Sequence, residues 1–133
     1  MEPGVADARV IERTFRAGAR ELHDARVSLG TALARQGVAG AHHDDVVAVV
    51  NELLAAAREC GVTAPLGVTV VVYPLLTSVR VRCDRNVELR DKPFDVRERL
   101  IHRLAIASGR RRRDDGSVDL WAEIARPRVS DVR

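Results

Sequence analysis

The sequence predicts an α+β fold, a two-layer sandwich in which helices cover one face of a mixed, mostly antiparallel sheet. The chain has 133 residues, of which 46% are hydrophobic, and this is enough to bury the core of one domain. Two early segments repeat apolar residues at three- and four-residue spacing, whereas later segments alternate with a period of two. We therefore expect one domain over residues 13–126, between loose ends at residues 1–12 and 127–133.

The first half of the chain predicts a short strand and two helices. Residues 13–17 alternate as an edge strand does. A helix over residues 20–36 would end at Gly37, and a second helix over residues 40–61 would carry Asp44 and Asp45 near its positive N-terminus. The apolar stripes of the two helices are Leu22, Ala25, Leu29, Ala32 and Leu33, and then Val46, Val49, Val50, Leu53, Leu54 and Ala57.

The second half predicts two hairpins separated by a helix. Residues 66–73 are rich in valine, and residues 79–83 alternate valine with arginine, which places Arg80 and Arg82 on one face. A third helix is expected over residues 95–108, capped by Asp95, and residues 110–113 and 117–125 form a second hairpin around Asp115-Gly116. The inner face of that helix would be Val96, Leu100, Leu104 and Ala107. The predicted order is β–α–α–β–β–α–β–β.

Composition excludes several classes of protein. Lys92 is the only lysine, so 21 of the 22 basic residues are arginine, a skew that we attribute mainly to GC-rich codon usage. Aromatic residues make up 3%, which disfavours a stacking platform for single-stranded nucleic acid. Cys60 and Cys83 are too few for a disulfide framework or a four-ligand zinc site. No basic and apolar leader and no apolar run of roughly 20 residues is present, so we expect a cytoplasmic protein without a membrane partner.

Three segments carry a resemblance to a known family. They are residues 46–54 (VVAVVNELL), 79–84 (VRVRCD) and 117–124 (SVDLWAEI). In this element order they resemble the anti-sigma-factor serine kinases, which belong to the GHKL group and have the Bergerat, or histidine-kinase-like ATPase, fold. The resemblance extends from about Arg13 to Arg126 and implies that fold for the chain.

The first nucleotide box of that family reads roughly Glu-Leu-x-x-Asn-Ala-x-x-His. Its Glu acts as a base, and its Asn holds Mg²⁺ against the phosphates. Residues 52–60 match at Glu52, but Ala56 occupies the metal-ligand position and Cys60 the His position. Alanine offers no oxygen to a hard cation, so the resemblance implies that Glu52 is a relic base without a metal.

The second and third boxes lack their glycines. The second box reads roughly Asp-x-Gly-x-Gly, and either Asp84 or, by strand alternation, Cys83 occupies the position of its Asp. Both glycines are absent there, and residues 94–100, where the glycine-rich third box should lie, contain none. We therefore expect no catalytic residue, no metal and no Mg-ATP cofactor, with a residual serine kinase as an alternative.

The resemblance implies a function in transcription control that does not need ATP. The family binds a sigma factor and an antagonist of the STAS type, and both tasks require a shaped surface. We expect a non-catalytic, anti-sigma-like regulator that acts by sequestration and partner switching. A homodimer is implied by the resemblance alone.

An alternative is an effector that binds an anionic nucleotide, such as a cyclic dinucleotide second messenger. Arginine forks to phosphate or stacks on guanine, and a carboxylate accepts hydrogen bonds from a guanine edge. Arg-x-x-Asp occurs twice in the run from residue 110 to residue 115. The candidate residues are Arg80, Arg82, Arg85, Arg110, Arg111, Arg112, Arg113, Asp114 and Asp115.

The remaining candidates receive structural interpretations. Binding to nucleic acid is disfavoured, because the net charge is only +3 and no recognition motif stands out, although the isoelectric point is about 9.5. His42 and His43 are expected to be exposed residues at a helix start. Cys60 and Cys83 are expected to be small buried hydrophobes, and Glu52 to pair with an arginine on a neighbouring strand.

Overall fold

The computed structural model describes residues 8–16, 18–59, 65–84 and 92–127, and the predicted order of elements is confirmed there. The backbone of α3 is described throughout and its side chains from Glu98 onward. The elements are β1 (Arg9–Phe15), α1 (Ala19–Arg35), α2 (Gly40–Glu59), β2 (Leu66–Val72), β3 (Leu76–Cys83), α3 (Lys92–Leu104), β4 (Ala107–Arg112) and β5 (Val118–Ala125).

The strands form one sheet in the order β1-β2-β3-β5-β4, and every described pairing is antiparallel, so the expectation of a mixed sheet is wrong. The connections explain this pattern. Two helices between β1 and β2 give three reversals of chain direction, so β2 returns antiparallel to β1. One helix between β3 and β4 gives two reversals, so those strands are parallel to each other, and β5 lies between them antiparallel to both.

The core lies between the helices and one face of the sheet. All the residues of the two predicted helical stripes are buried, as are the inward positions Val68, Val70, Val79 and Val81 of β2 and β3. Because a strand alternates its faces, the residues between them lie on the other side. Fully burying a valine contributes about 1.5–3 kcal/mol, so these alternating positions fix which face receives the helices.

Two turns follow the glycine predictions. Gly37 has φ +80° just after the end of α1, and Gly116 has φ 89° in the β4–β5 hairpin. Left-handed backbone costs a residue with a Cβ roughly 1–2 kcal/mol, so glycine is suited to both places.

The third helix differs from its prediction at both ends. It extends over Lys92–Leu104 rather than 95–108, and Ala107 lies in β4, where Ser108 pairs with Ala122. On its inner face Ile101 is 2% exposed, whereas the predicted Leu100 is 39% exposed. The predicted Leu104 is partly buried and packs against the core. Because the helix begins at Lys92, Asp95 lies within its first turn, and the prediction of Asp95 as the N-cap is wrong. The side chains of Asp95 and Val96 lie outside the described set.

The first strand begins earlier than predicted. It spans Arg9–Phe15 rather than residues 13–17, so part of the expected loose N-terminus belongs to the sheet, and Ala17 lies outside the described residues. Only Ile11 of this strand is buried, opposite Val70. An edge strand with one buried side chain gives a weak apolar pattern, which is why the sequence did not reveal its start. None of the helices in the described ranges combines the length and hydropathy needed to span a bilayer.

Candidate functional site

The positions that match the family's nucleotide boxes lie on the helix side of the sheet. Ala56 and Cys83 are both 0% exposed and belong to the apolar core, and Glu52 is half-buried on α2. Strand alternation turns Cys83 toward the helices with Val81, whereas Asp84 follows the strand and is exposed. Cys83 is therefore the residue that occupies the inward position, and its prediction as a buried hydrophobe is confirmed. Cys60 and Arg85 lie outside the described residues.

The face of the sheet turned away from the three helices, here called the open face, collects several charged candidates. Its residues follow from the register, since directly opposed residues share a face. Arg82 is opposite both Gly67 and Asp119, and Asp119 is opposite Arg111. One row further along, Arg80 is opposite Thr69 and Trp121. The structure thus brings Arg80, Arg82 and Arg111 to one face.

Asp119 organises this face, although the sequence did not mark it as a candidate. Its carboxylate is 4% exposed and accepts hydrogen bonds from Arg82 Nε at 3.3 Å and from Arg113 Nη1 at 3.0 Å. A buried carboxylate is costly unless it is paired, and two guanidinium groups that are about 40% exposed supply that pairing. Asp119 therefore holds the guanidinium groups of Arg82 and Arg113 in fixed positions. The sequence did contain a signal for this role, because Asp119 occupies an outward position in a strand whose apolar residues alternate.

A groove of about 480 Å³ crosses the open face between β1 and β3. Its floor is β2, where Gly67 and Thr69 leave space, and its walls carry Glu12 on one side and Arg80 and Arg82 on the other. We call it the β1–β3 groove, and its lining is Glu12, Arg13, Thr14, Gly67, Val68, Thr69, Arg80 and Arg82.

Trp121 lies beside this groove and rests on β4. A Cβ built at Gly109 would lie 3.1–3.2 Å from three atoms of the indole ring, so the ring covers Gly109 closely. The absence of a side chain at Gly109 therefore lets the only tryptophan lie against the neighbouring strand.

The arginine run from residue 110 to residue 113 does not act as one patch. Arg110 and Arg112 are opposite Leu120 and Val118, which places them on the helix side of β4, and Arg111 lies on the open face. Arg113 donates a hydrogen bond to Asp119. The four arginines are therefore split between the two faces of the sheet, and one of them is already paired.

The acidic end of the run forms the hairpin turn. Asp115 Oδ1 accepts hydrogen bonds from the Ser117 hydroxyl at 2.6 Å and from the Ser117 backbone N–H at 2.8 Å. These bonds, that of the hydroxyl first, lower the pKa of the Asp115 carboxyl. The carboxylate of Asp115 thus stabilises the turn. A groove of about 400 Å³, here called the turn groove, lies beside it and is lined by Arg111, Arg112, Arg113, Asp115 and the exposed Asp114.

The expectation that His42 and His43 are exposed is wrong. His42 is 6% exposed, and its Nε2 is 2.8 Å from the Thr77 hydroxyl of β3. His43 is partly buried, and its Nε2 is 2.8 Å from the Gly30 carbonyl of α1. Adjacent helical residues point in directions about 100° apart, so one histidine meets the sheet and the other meets α1. No pattern in the sequence indicated that these two side chains contact other elements of the fold instead of solvent.

The environment of His42 disfavours its charged form. Burial lowers the pKa of His42, and the positive charge of Arg126 lowers it further, while Asp45 and the backbone of Ala125 act in the opposite direction. Among the described residues, none forms a hydrogen bond with its Nδ1. His42 is therefore a neutral residue of the core near neutral pH.

A further groove, of about 540 Å³, lies at the end of the sheet where α1 terminates. Arg9 Nη1 donates to the Gln36 carbonyl and Arg126 Nη1 to the Tyr73 carbonyl, each at 3.3 Å. Both arginines thus complete main-chain hydrogen bonds at element ends.

Among the residues that the structure describes, no three acidic, histidine or cysteine side chains converge into a group that could hold a metal ion. The chain matches no family model, and no curated protein is significantly similar to it in sequence.

Proposed function

We propose that this chain is a non-catalytic regulator of the anti-sigma type, which acts by binding and sequestering protein partners. The observation that supports this most directly is the packing of Ala56 and Cys83 inside the apolar core. In the family that the sequence resembles, these positions would hold the metal and the adenine. An oxygen-free, fully buried position supplies no ligand for Mg²⁺, which binds through oxygen.

The order and type of the elements support the same proposal. The β–α–α–β–β–α–β–β order expected of a Bergerat-type fold agrees with the observed strands and helices. A domain that keeps its architecture while its nucleotide positions are apolar retains surfaces for partners and loses phosphoryl chemistry. The expected partners are a sigma factor, a STAS-type antagonist, or both, with the chain acting as a homodimer.

The absence of kinase activity is tested by incubating the purified chain with radiolabelled Mg-ATP and candidate STAS-domain proteins. We expect no transfer of phosphate. Any transfer should be repeated with the variant Glu52→Ala, which removes the relic base on α2. Transfer that is lost in this variant would show that the chain is a residual kinase and would contradict the proposal, whereas transfer that persists comes from a contaminating enzyme.

Sequestration is tested with purified sigma factors and STAS-domain proteins encoded by the same genome. We expect one of them to bind the chain without ATP and, if it is a sigma factor, transcription by its holoenzyme to fall as the chain is added. Binding that requires Mg-ATP, or no binding by any member of the panel, would overturn the proposal. Light scattering on the same samples tests the expected homodimer.

A second candidate function is the binding of an anionic nucleotide, and it is favoured by the positions of the arginines on the open face. Arg80, Arg82 and Arg111 lie on neighbouring rows, and the one buried carboxylate among them, Asp119, is already paired. A thermal-shift panel of mononucleotides and cyclic dinucleotides tests it, because a ligand that binds only the folded state raises the melting temperature. No shift with any nucleotide would remove this candidate.

A further inference from the structure

The β1–β3 groove combines a guanidinium wall with a carboxylate wall. Arg80 and Arg82 extend from β3, and Glu12 extends from β1, on either side of the Gly67 and Thr69 floor. Two strand spacings separate the walls, roughly 9–10 Å between backbones. The groove therefore presents hydrogen-bond donors on one side and acceptors on the other.

The cationic wall is prepared for an anion. Arg82 is fixed by its bond to the buried Asp119, so it loses little freedom on binding. Arg80 is a half-buried residue, and within the described residues its guanidinium has no hydrogen bond or ion pair, so its donors remain available to a ligand. A phosphate can accept from both groups in the geometry that arginine favours.

The opposite wall of the groove is suited to the hydrogen-bond donors on the edge of a nucleobase. The Glu12 side chain is exposed, and its carboxylate has no partner among the described residues. The neighbouring Arg13 donates to the Glu12 carbonyl at 2.8 Å, which leaves the carboxylate oxygens to face solvent and the groove. A carboxylate accepts two parallel hydrogen bonds, and the N1–H and amino group of guanine supply two adjacent donors, whereas adenine supplies its amino group alone.

The floor contains a glycine that the fold does not require. Gly67 has no positive φ, and a Cβ built there would meet only Arg82 Cβ at 3.8 Å, an ordinary contact. The other residues of β2 are leucine, valine and threonine. Glycine inside a strand frequently marks a close approach by a ligand or another backbone, and here it deepens the groove at its centre.

We propose that the β1–β3 groove binds a guanine nucleotide, with the phosphates on Arg80 and Arg82 and the base edge on Glu12. This inference rests on the second candidate function and does not depend on the protein-binding proposal. The groove is on the opposite side of the sheet from the positions that match the family's nucleotide boxes. A nucleotide bound here would leave Ala56 and Cys83 untouched.

The test is a calorimetric titration of the full-length chain with GTP, ATP and cyclic di-GMP in the absence of any partner. We expect GTP or cyclic di-GMP to bind more tightly than ATP. Arg80→Ala should weaken binding at least tenfold, because a charge-assisted contact is lost, and Gly67→Val should abolish it by filling the floor. Glu12→Gln should remove the preference for guanine over adenine. Arg20→Ala, which removes an exposed arginine of α1, should leave affinity unchanged within twofold.

The outcomes separate this inference from the candidate function on which it rests. If no nucleotide binds the wild-type chain, both are wrong. If a nucleotide binds equally well to Arg80→Ala and Gly67→Val, while Arg112→Ala loses it, the ligand occupies the turn groove and only the inference is overturned. Urea unfolding of each variant shows whether it is folded. If Gly67→Val is unfolded, Gly67→Ala replaces it, with an expected loss of affinity of about threefold or more.

Discussion

Replacing Gly109 or Gly67 by alanine tests how closely neighbouring side chains pack on the open face, because the two substitutions are chemically identical. Both glycines are in strands, face the same side of the sheet and have no positive φ, so alanine fits the backbone at either place. Replacing such a glycine by alanine stabilises a protein by about 0.4–1 kcal/mol, because the unfolded chain loses freedom. The two sites differ in what the new methyl group would meet.

At Gly67 the new Cβ lies 3.8 Å from its nearest neighbour, so Gly67→Ala should keep the full gain. At Gly109 the Cβ would lie 3.1–3.2 Å from three atoms of Trp121, closer than the 3.5–4.0 Å of a favourable carbon contact. The indole must move by several tenths of an ångström, and overpacking of this kind costs about 1–3 kcal/mol. Because both variants share the gain in the unfolded state, Gly109→Ala should be less stable than Gly67→Ala by the overpacking cost, about 1–3 kcal/mol.

Urea unfolding followed by far-ultraviolet circular dichroism measures the two free energies, and the emission of the single tryptophan reports on its ring directly. We expect the Trp121 emission maximum to shift in Gly109→Ala and to be unchanged in Gly67→Ala. Equal stabilisation of both variants, with emission unchanged in each, would refute the argument that the indole lies against Gly109.

Three further predictions follow from the described contacts. Asp119→Ala should lower the free energy of unfolding by about 1.5–3 kcal/mol in urea melts, because two guanidinium groups lose their charged partner. We expect a loss near the lower value, because both guanidinium groups are partly exposed. His42 is held neutral, with its pKa below 6.5, so its contribution to stability is complete above pH 6.5 and is lost as pH falls toward the lowered value; His42→Gln should flatten that dependence. Gly37→Ala should cost about 1 kcal/mol in thermal unfolding because of its φ of +80°.

Each of these three predictions has a result that would contradict it, and the first also has a matched control. For the first, Asp114→Ala, an exposed acid in the β4–β5 turn, should change stability by less than about 0.5 kcal/mol, and an equal loss there would contradict the role of Asp119. For the second, an unchanged pH dependence of stability in His42→Gln would contradict the role of His42. For the third, no change in melting temperature would show that the left-handed turn after α1 carries no strain.

Local sequence patterns were sufficient to predict which elements form and in what order. The stripes of α1 and α2 repeat at three and four residues over about three turns each, and a period sustained over that length is typical of an amphipathic helix. The weaker patterns failed at their ends. Leu100 is predicted inward but is 39% exposed, whereas its neighbour Ile101 is buried. Leu100 and Ile101 lie four and three residues before Leu104, so helical spacing alone could not choose between them.

The candidate site could be predicted only in part. Arg80 and Arg82 were assigned to one face of a strand, and the structure confirms it, since alternation is a local property. The pairing of Asp119 with Arg82 and Arg113 was missed because it joins three segments through the sheet register. Glu12 was missed because its strand gave little apolar signal.

The sequence by itself determined the periodicities of this chain, and with them the order of helices and strands and the buried faces of α1, α2, β2 and β3. It also determined which chemical groups are absent, because Ala56 has no oxygen in any fold. Only the tertiary structure decided which faces meet. The order β1-β2-β3-β5-β4 places β5 between β3 and β4, and this brings Arg82, Asp119 and Arg111 into one row. Pairing between distant strands depends on the packing of the whole core against the helices, and no short segment contains that information.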